Sequence, residues 1–203
     1  MADRPVRVER AQGVVRVTLD RPPLNLFDPH VITALHETFA TLSRDGSVRA
    51  VVLGAGFELA LACDLRVAAV DAVFGLPEVR VGVPSVIQAA LLPPLVGPGR
   101  AAELLLLGTT VTAARALDWG LVNRVVEAQA LHAAVDDLLD ALSRCAPGAV
   151  RLQKELIIRW RETDLPSAVQ AGVNAFATAY AGREPREGAE AFLAKRAPRF
   201  GVS

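Results

Sequence analysis

The chain has 203 residues, of which 52% are hydrophobic and 22% charged, long enough for one substantial core and too apolar for disorder. Its 22 basic and 22 acidic residues cancel to a formal net charge of +0, so no overall field draws it to nucleic acid or to an anionic membrane surface. Two distant cysteines, Cys63 and Cys145, and three histidines, His30, His36 and His132, form neither a disulfide framework nor a zinc-ligand spacing, and no metal is expected.

The opening MADRPVRVER has no apolar run after a basic start, and no uninterrupted apolar stretch reaches the roughly 20 residues of a membrane span. A cytoplasmic protein with no membrane partner is expected. Two alternating apolar runs, Val6 to Arg10 and Val14 to Leu19, flank a turn at Gly13 and predict a β-hairpin. Asp28 as N-cap and Pro29 at the first helical position then open a helix whose apolar face is Val31, Ala34, Leu35, Thr38, Phe39 and Leu42, ended by Asp45-Gly46. The nearly continuous apolar run Val48 to Leu53 predicts a buried strand returning beside the hairpin.

After Gly54 the compact apolar segment Phe57 to Cys63 is followed by short strands at Leu65 to Ala69 and Val73 to Gly75. Helical patterns then dominate: Ser85 to Leu95, Arg100 to Leu107 before Gly108, and Thr112 to Trp119 before Gly120. Longer amphipathic helices are marked by Leu131, Val135, Leu138, Leu139 and Leu142 and by Leu152, Leu156 and Trp160. Two more, Asp164 to Ala181 and Arg186 to Arg196, complete a helical carboxy-terminal third.

The segment GAGFELALACDLRVAAVDAVFGLPEVRVGVP, Gly54 to Pro84, resembles the signature region of the crotonase, or enoyl-CoA hydratase/isomerase, family. LVGPGRAAELLLLG, TAARALDWGLVNRVV and EGAEAFLAKRAPRF are similar to its downstream landmarks, in order. The resemblance implies an α/β fold: a crotonase-like ββα spiral core over residues 1–125 and a helical oligomerisation region over 126–203, assembled as homotrimers or pairs of trimers. It also implies an acyl-CoA thioester substrate and no cofactor beyond the coenzyme A carried by that substrate.

Within the resemblance there is one large departure. Between the strand VRAVVL and the ELALACD helix, relatives carry roughly fifty residues that hold one of two oxyanion N–H donors, whereas here Leu53 runs into Gly54. The intact landmarks on both sides lead to the expectation of an omitted segment, with Leu53 and Gly54 not bonded neighbours. A smaller departure is PSVIQAALLPPLVG in place of a glycine-rich PGxGG run after Pro84, with Ser85 available as a helix cap.

Hydrating an α,β-unsaturated thioester needs a base to activate water, an acid to protonate the α-carbon and a stabilised enolate-like oxygen. By resemblance, Glu58 and Glu78 stand where the family's hydratases carry their catalytic glutamates. Taken alone, Glu58 reads first as a carboxylate complementing a helix N-terminus, and Glu78 as an exposed turn residue. Gly54, Ala55 and Gly56 lead into a helix, and the resemblance gives the oxyanion donor to the Ala55 N–H. Phe192 and Lys195 match a pair that in relatives can reach the nucleotide part of CoA; taken alone they read as a packing Phe beside a solvated Lys. Isomerisation by one proton-shuttling carboxylate is the alternative reaction, and a non-catalytic binding module the alternative if the segment after Leu53 is truly absent.

Overall fold

Hydrophobic alternation is strongest at the amino-terminal end, and there a computed structural model, which describes residues 5–19, 29–54, 56–86 and 88–200, forms a three-stranded sheet. Strands β1 (Val6–Ala11) and β2 (Val14–Leu19) make the antiparallel hairpin, reversed through Gln12 and Gly13, both at positive φ. Val15, Val17 and Leu19 point alternately into the core, the two-residue period of a half-buried strand. Helix α1 (Pro29–Leu42) lays Val31, Leu35 and Leu42 on the same core. Asp28, expected as its cap, lies outside the described residues.

Strand β3 (Ala50–Gly54) returns parallel to β2, with Leu53 opposite Val17 and Gly54 opposite Thr18. One expectation changes here: β3 is not a buried strand but lies at the sheet edge in the order β1-β2-β3, with Val51 39% exposed.

Helix α2 (Phe57–Ala62) follows, and then β4 (Val67–Ala69), β5 (Val73–Gly75) and a 3-10 turn over Pro77–Val81. The predicted helix over Ser85 to Leu95 is replaced by a 3-10 turn at Ala89–Leu91 and a short helix α3 (Leu92–Val96). Pro93 and Pro94 account for the correction, since proline is tolerated in the first turn and clashes in the interior of a helix. Helix α4 (Pro98–Leu107) ends at Gly108 with φ +57.

Strand β6 (Thr110–Thr112), absent from the sequence reading, pairs antiparallel with β5. The Thr112 hydroxyl then caps α5 (Ala113–Asp118). A second unforeseen strand, β7 (Arg124–Val126), pairs parallel with β4. The Asn123 side chain receives the Arg66 N–H beside that ladder, and the Arg66 guanidinium donates to the Leu121 carbonyl. Leu61, Leu76, Leu92, Leu104, Val111 and Leu121 are buried in one cluster that these elements share. Trp119 lies at its margin under the guanidinium groups of Arg100 and Arg115, 5.2 and 5.0 Å from the ring centroid.

The chain divides into two compact units within helix α6 (Leu131–Ser143), between Val135 and Asp136. In the second unit α7 (Pro147–Trp160) packs on α8 (Leu165–Tyr180), and α8 on α9 (Glu184–Leu193). Asp164 caps α8 by accepting from the Ser167 N–H and hydroxyl. The Glu184 carboxylate accepts from the N–H groups of Gly148 and Ala149 at the start of α7. Leu165, Val169, Val173, Phe176 and Tyr180 form an exposed apolar stripe along α8. No described helix is long and apolar enough to cross a membrane.

Candidate active site

Glu58 owes its place to a helix one and a half turns long. Phe57 and Leu61 of α2 pack into the larger cluster, while Leu59 packs against the cluster of the amino-terminal sheet. Helix α2 is therefore seated from two sides, and Glu58 rides in its first turn. Its Oε1 atom is buried with no hydrogen-bond partner among the described residues, an arrangement that costs on the order of 1–3 kcal/mol for a polar group and calls for an explanation in a folded protein. Cys63 closes the helix with its thiol on the Leu59 carbonyl.

Glu78 is held by a different device. Leu76 is buried in the larger cluster, and two residues later Glu78 opens the 3-10 turn behind Pro77. Arg80 ties that turn to the end of α4 by donating Nε–H to the Leu107 carbonyl at 3.2 Å. The approach is close enough that a Cβ on Gly108 would lie 3.1 Å from the Arg80 side chain and 3.3 Å from the Pro77 Cα, so a left-handed glycine suits that position twice over. The Glu78 carboxylate accepts from the Ser85 hydroxyl at 2.6 Å.

The elements carrying the two glutamates meet in the larger cluster. Phe57, the neighbour of Glu58, packs edge to face on Phe74 of β5, with ring centroids 5.3 Å apart. Three residues of chain separate Phe74 from Glu78. Phe57–Ala62 and the β5 turn are thus fixed to each other through apolar side chains of one core.

Gly54 ends β3, and Gly56 is the extended N-cap of α2, φ −68 and ψ 170. Neither has the left-handed backbone that demands glycine. A Cβ on Gly54 would make only ordinary contact with Thr18, so packing does not account for that glycine. Ala55 lies outside the described residues. Phe192 and Lys195 belong to the second unit, the first 83% exposed and the second just past α9 at φ +50.

Ser85 is the site residue whose role the sequence concealed. It caps no helix, because residues 83–86 are irregular and the next 3-10 turn starts at Ala89. A serine seven positions after a glutamate, with Gly82 and Pro84 forcing a loop between them, was the available signal. Among the described residues no cluster of histidine, cysteine, aspartate and glutamate is arranged to hold a metal ion.

The family model of the enoyl-CoA hydratase/isomerase family matches residues 52–202. The mevalonyl-coenzyme A hydratase of Aspergillus fumigatus is 41% identical over 159 residues, covering 76% of this chain and 58% of that protein. The crotonyl-CoA hydratase of Syntrophomonas wolfei is 38% identical over 155 residues, covering 76% and 60%. This chain thus spans about 60% of the length of such curated relatives. The crystal structure of an enoyl-CoA hydratase from Mycobacterium smegmatis superposes with a TM-score of 0.93 at 28% identity, covering 98% of this chain and 100% of that one. Sequence and fold agree from β3 through α2, the Glu78 turn and the helical second unit, and this chain belongs to the enoyl-CoA hydratase/isomerase family.

Proposed function

We propose that the protein is an enoyl-CoA hydratase, adding water across the double bond of an α,β-unsaturated acyl-CoA thioester. The observation that carries this reading is the buried Oε1 of Glu58 in the first turn of α2, which has no partner among the described residues. A carboxyl oxygen that no donor among the described residues satisfies is left available to a substrate water that enters with the thioester. In the reaction one carboxyl group removes a proton from water as its oxygen bonds to the β-carbon. The double-bond electrons shift toward the thioester oxygen, and the second carboxyl group returns a proton at the α-carbon. Glu58 and Glu78 share this work.

The Ala55 N–H, between Gly54 and Gly56, is assigned to the developing oxyanion. Phe192 and Lys195 are assigned to the nucleotide end of the CoA, the only cofactor moiety the reaction uses. The names of the relatives, hydratases of crotonyl-CoA and mevalonyl-CoA among them, support an acyl-CoA substrate. The exposed α8 stripe supports self-association, which we assign as a trimer or a pair of trimers, and we place the protein in the cytoplasm.

A second reading is favoured by one observation, the direct succession of Leu53 and Gly54 in the sequence. Relatives' second oxyanion donor lies in the stretch absent there, and losing one such donor costs about 10²–10³ in rate. On that reading the chain is an acyl-CoA-binding module without turnover. Incubating the purified protein with a short enoyl-CoA and following both binding and loss of the unsaturated thioester separates the two. Hydration that falls on Glu58→Gln supports the enzyme, binding without hydration supports the module, and absence of both overturns either reading.

A further inference from the structure

Glu78 is clasped twice by the loop that follows it. Its backbone carbonyl accepts the N–H groups of Gly82 and Val83, the latter at 3.2 Å, and its side-chain Oε2 accepts the Ser85 hydroxyl at 2.6 Å. The loop can close this tightly because Gly82 takes φ +87, a left-handed turn with nothing within 4 Å of where a Cβ would be. Pro84 then fixes its own φ and biases Val83 toward extended backbone, which aims residue 85 back at the turn. Among the described residues Ser85 is the one hydrogen-bond partner of the Glu78 carboxylate.

The 2.6 Å separation lies in the range of charge-assisted O–H···O bonds. A hydroxyl has a single proton to donate, and here that proton is committed to Oε2. Side-chain rotation of Glu78 is thereby arrested with one oxygen occupied and the other left for chemistry.

We propose that Ser85 is a positioning residue for Glu78: by holding Oε2 it makes Oε1 the oxygen that exchanges a proton with water or the substrate α-carbon. This inference rests on the hydratase reading. Ser85 acts through Glu78 and touches no reacting atom, so its contribution falls on the chemical step and not on affinity for the CoA ester. Misplacing a reacting group by about 1 Å costs up to roughly 10²-fold in rate.

The test is a double-mutant cycle on hydration of a short enoyl-CoA, together with crystal structures of wild type and Ser85→Ala. Expected is a fall in kcat of roughly 10- to 100-fold for Ser85→Ala with KM within about twofold of wild type. Ser85→Thr, which keeps the hydroxyl, restores most of it. In a Glu78→Gln background Ser85→Ala should add less than about twofold, because two residues acting as a unit are not additive. A Ser85→Ala enzyme with wild-type kcat overturns the inference, and so does an equal loss in both backgrounds. A wild type that binds the thioester without hydrating it defeats the hydratase reading instead. In that event the crystal structures still decide the contact: a Glu78 carboxylate in the same place with and without the hydroxyl overturns the positioning role.

Discussion

Phe57 and Phe74 meet edge to face, with their ring planes 67° apart, and that contact joins the helix bearing Glu58 to the strand leading to Glu78. Such aromatic pairs contribute about 0.5–1.5 kcal/mol beyond the area they bury. Phe74→Leu keeps an apolar side chain but loses the ring edge, and should destabilise by about 1–2 kcal/mol. Urea unfolding should show a lower midpoint at unchanged slope. Hydration should fall even in buffer where the variant is fully folded, because both carboxylates take their positions from this core.

Glu58→Gln and Glu78→Gln should each lower hydration of a short enoyl-CoA by at least about 10², the usual size of a general acid–base contribution. The loss should appear in kcat, with KM little changed. The double variant should be far better than the product of the two single losses, as for groups serving one concerted step. An isomerase would show one severe and one mild loss, and faster turnover of a β,γ-enoyl thioester.

Glu187 gives the second unit a pH-dependent fastening. Its carboxylate accepts two bonds from the Arg196 guanidinium, at 2.6 and 3.0 Å, and a third from the Arg199 N–H. The guanidinium first, and the backbone donor second, hold its pKa down to about 2 from 4.5. A depressed acid contributes stability that is whole above its unfolded-state value and drains away as pH falls through the folded one. Between pH 4.5 and 2, wild type should therefore lose stability more steeply than Glu187→Gln. Thermal melts of the two proteins across that window provide the comparison, and parallel curves would contradict the assignment.

The α8 residues Leu165, Val169, Val173, Phe176 and Tyr180 form a row of exposed apolar side chains, the kind of surface that marks association. Light scattering at micromolar concentration should return a multiple of the chain mass. Val169→Glu together with Phe176→Glu should reduce it to the monomer while preserving helical circular dichroism. A monomer already in the wild type would refute self-association.

Periodicity made the hairpin, α1 and the carboxy-terminal helices readable, because each carries its own apolar rhythm over ten or more residues or closes through a local turn. Val15, Val17 and Leu19 announce their burial without reference to anything distant. Strands β6 and β7 have three residues each and exist because β5 and β4 supply the missing hydrogen bonds. Glu58 and Glu78 were reached through resemblance, since nothing in their spacing says that both elements share a core. Ser85 looked like a cap because a Ser after a Pro-containing break before an apolar run ordinarily is one. The prolines at 93 and 94 moved the helix start down the chain and freed the hydroxyl for Glu78.

The ladder between β4 and β7 has a consequence for how the molecule is made. Arg66 and Asn123, which bond beside it, are 57 residues apart, whereas the β1–β2 hairpin closes over a two-residue turn. Pairing across so long a loop must first meet the entropy of bringing its ends together, and contacts of this kind slow folding. On the ribosome, the first two strands are able to pair while the partner of Val67–Ala69 has yet to be synthesised. Pulse-labelled amide exchange during refolding should accordingly protect Val15 and Val17 before Ala68, and chains truncated ahead of Arg124 should leave β4 unprotected, its partner strand missing.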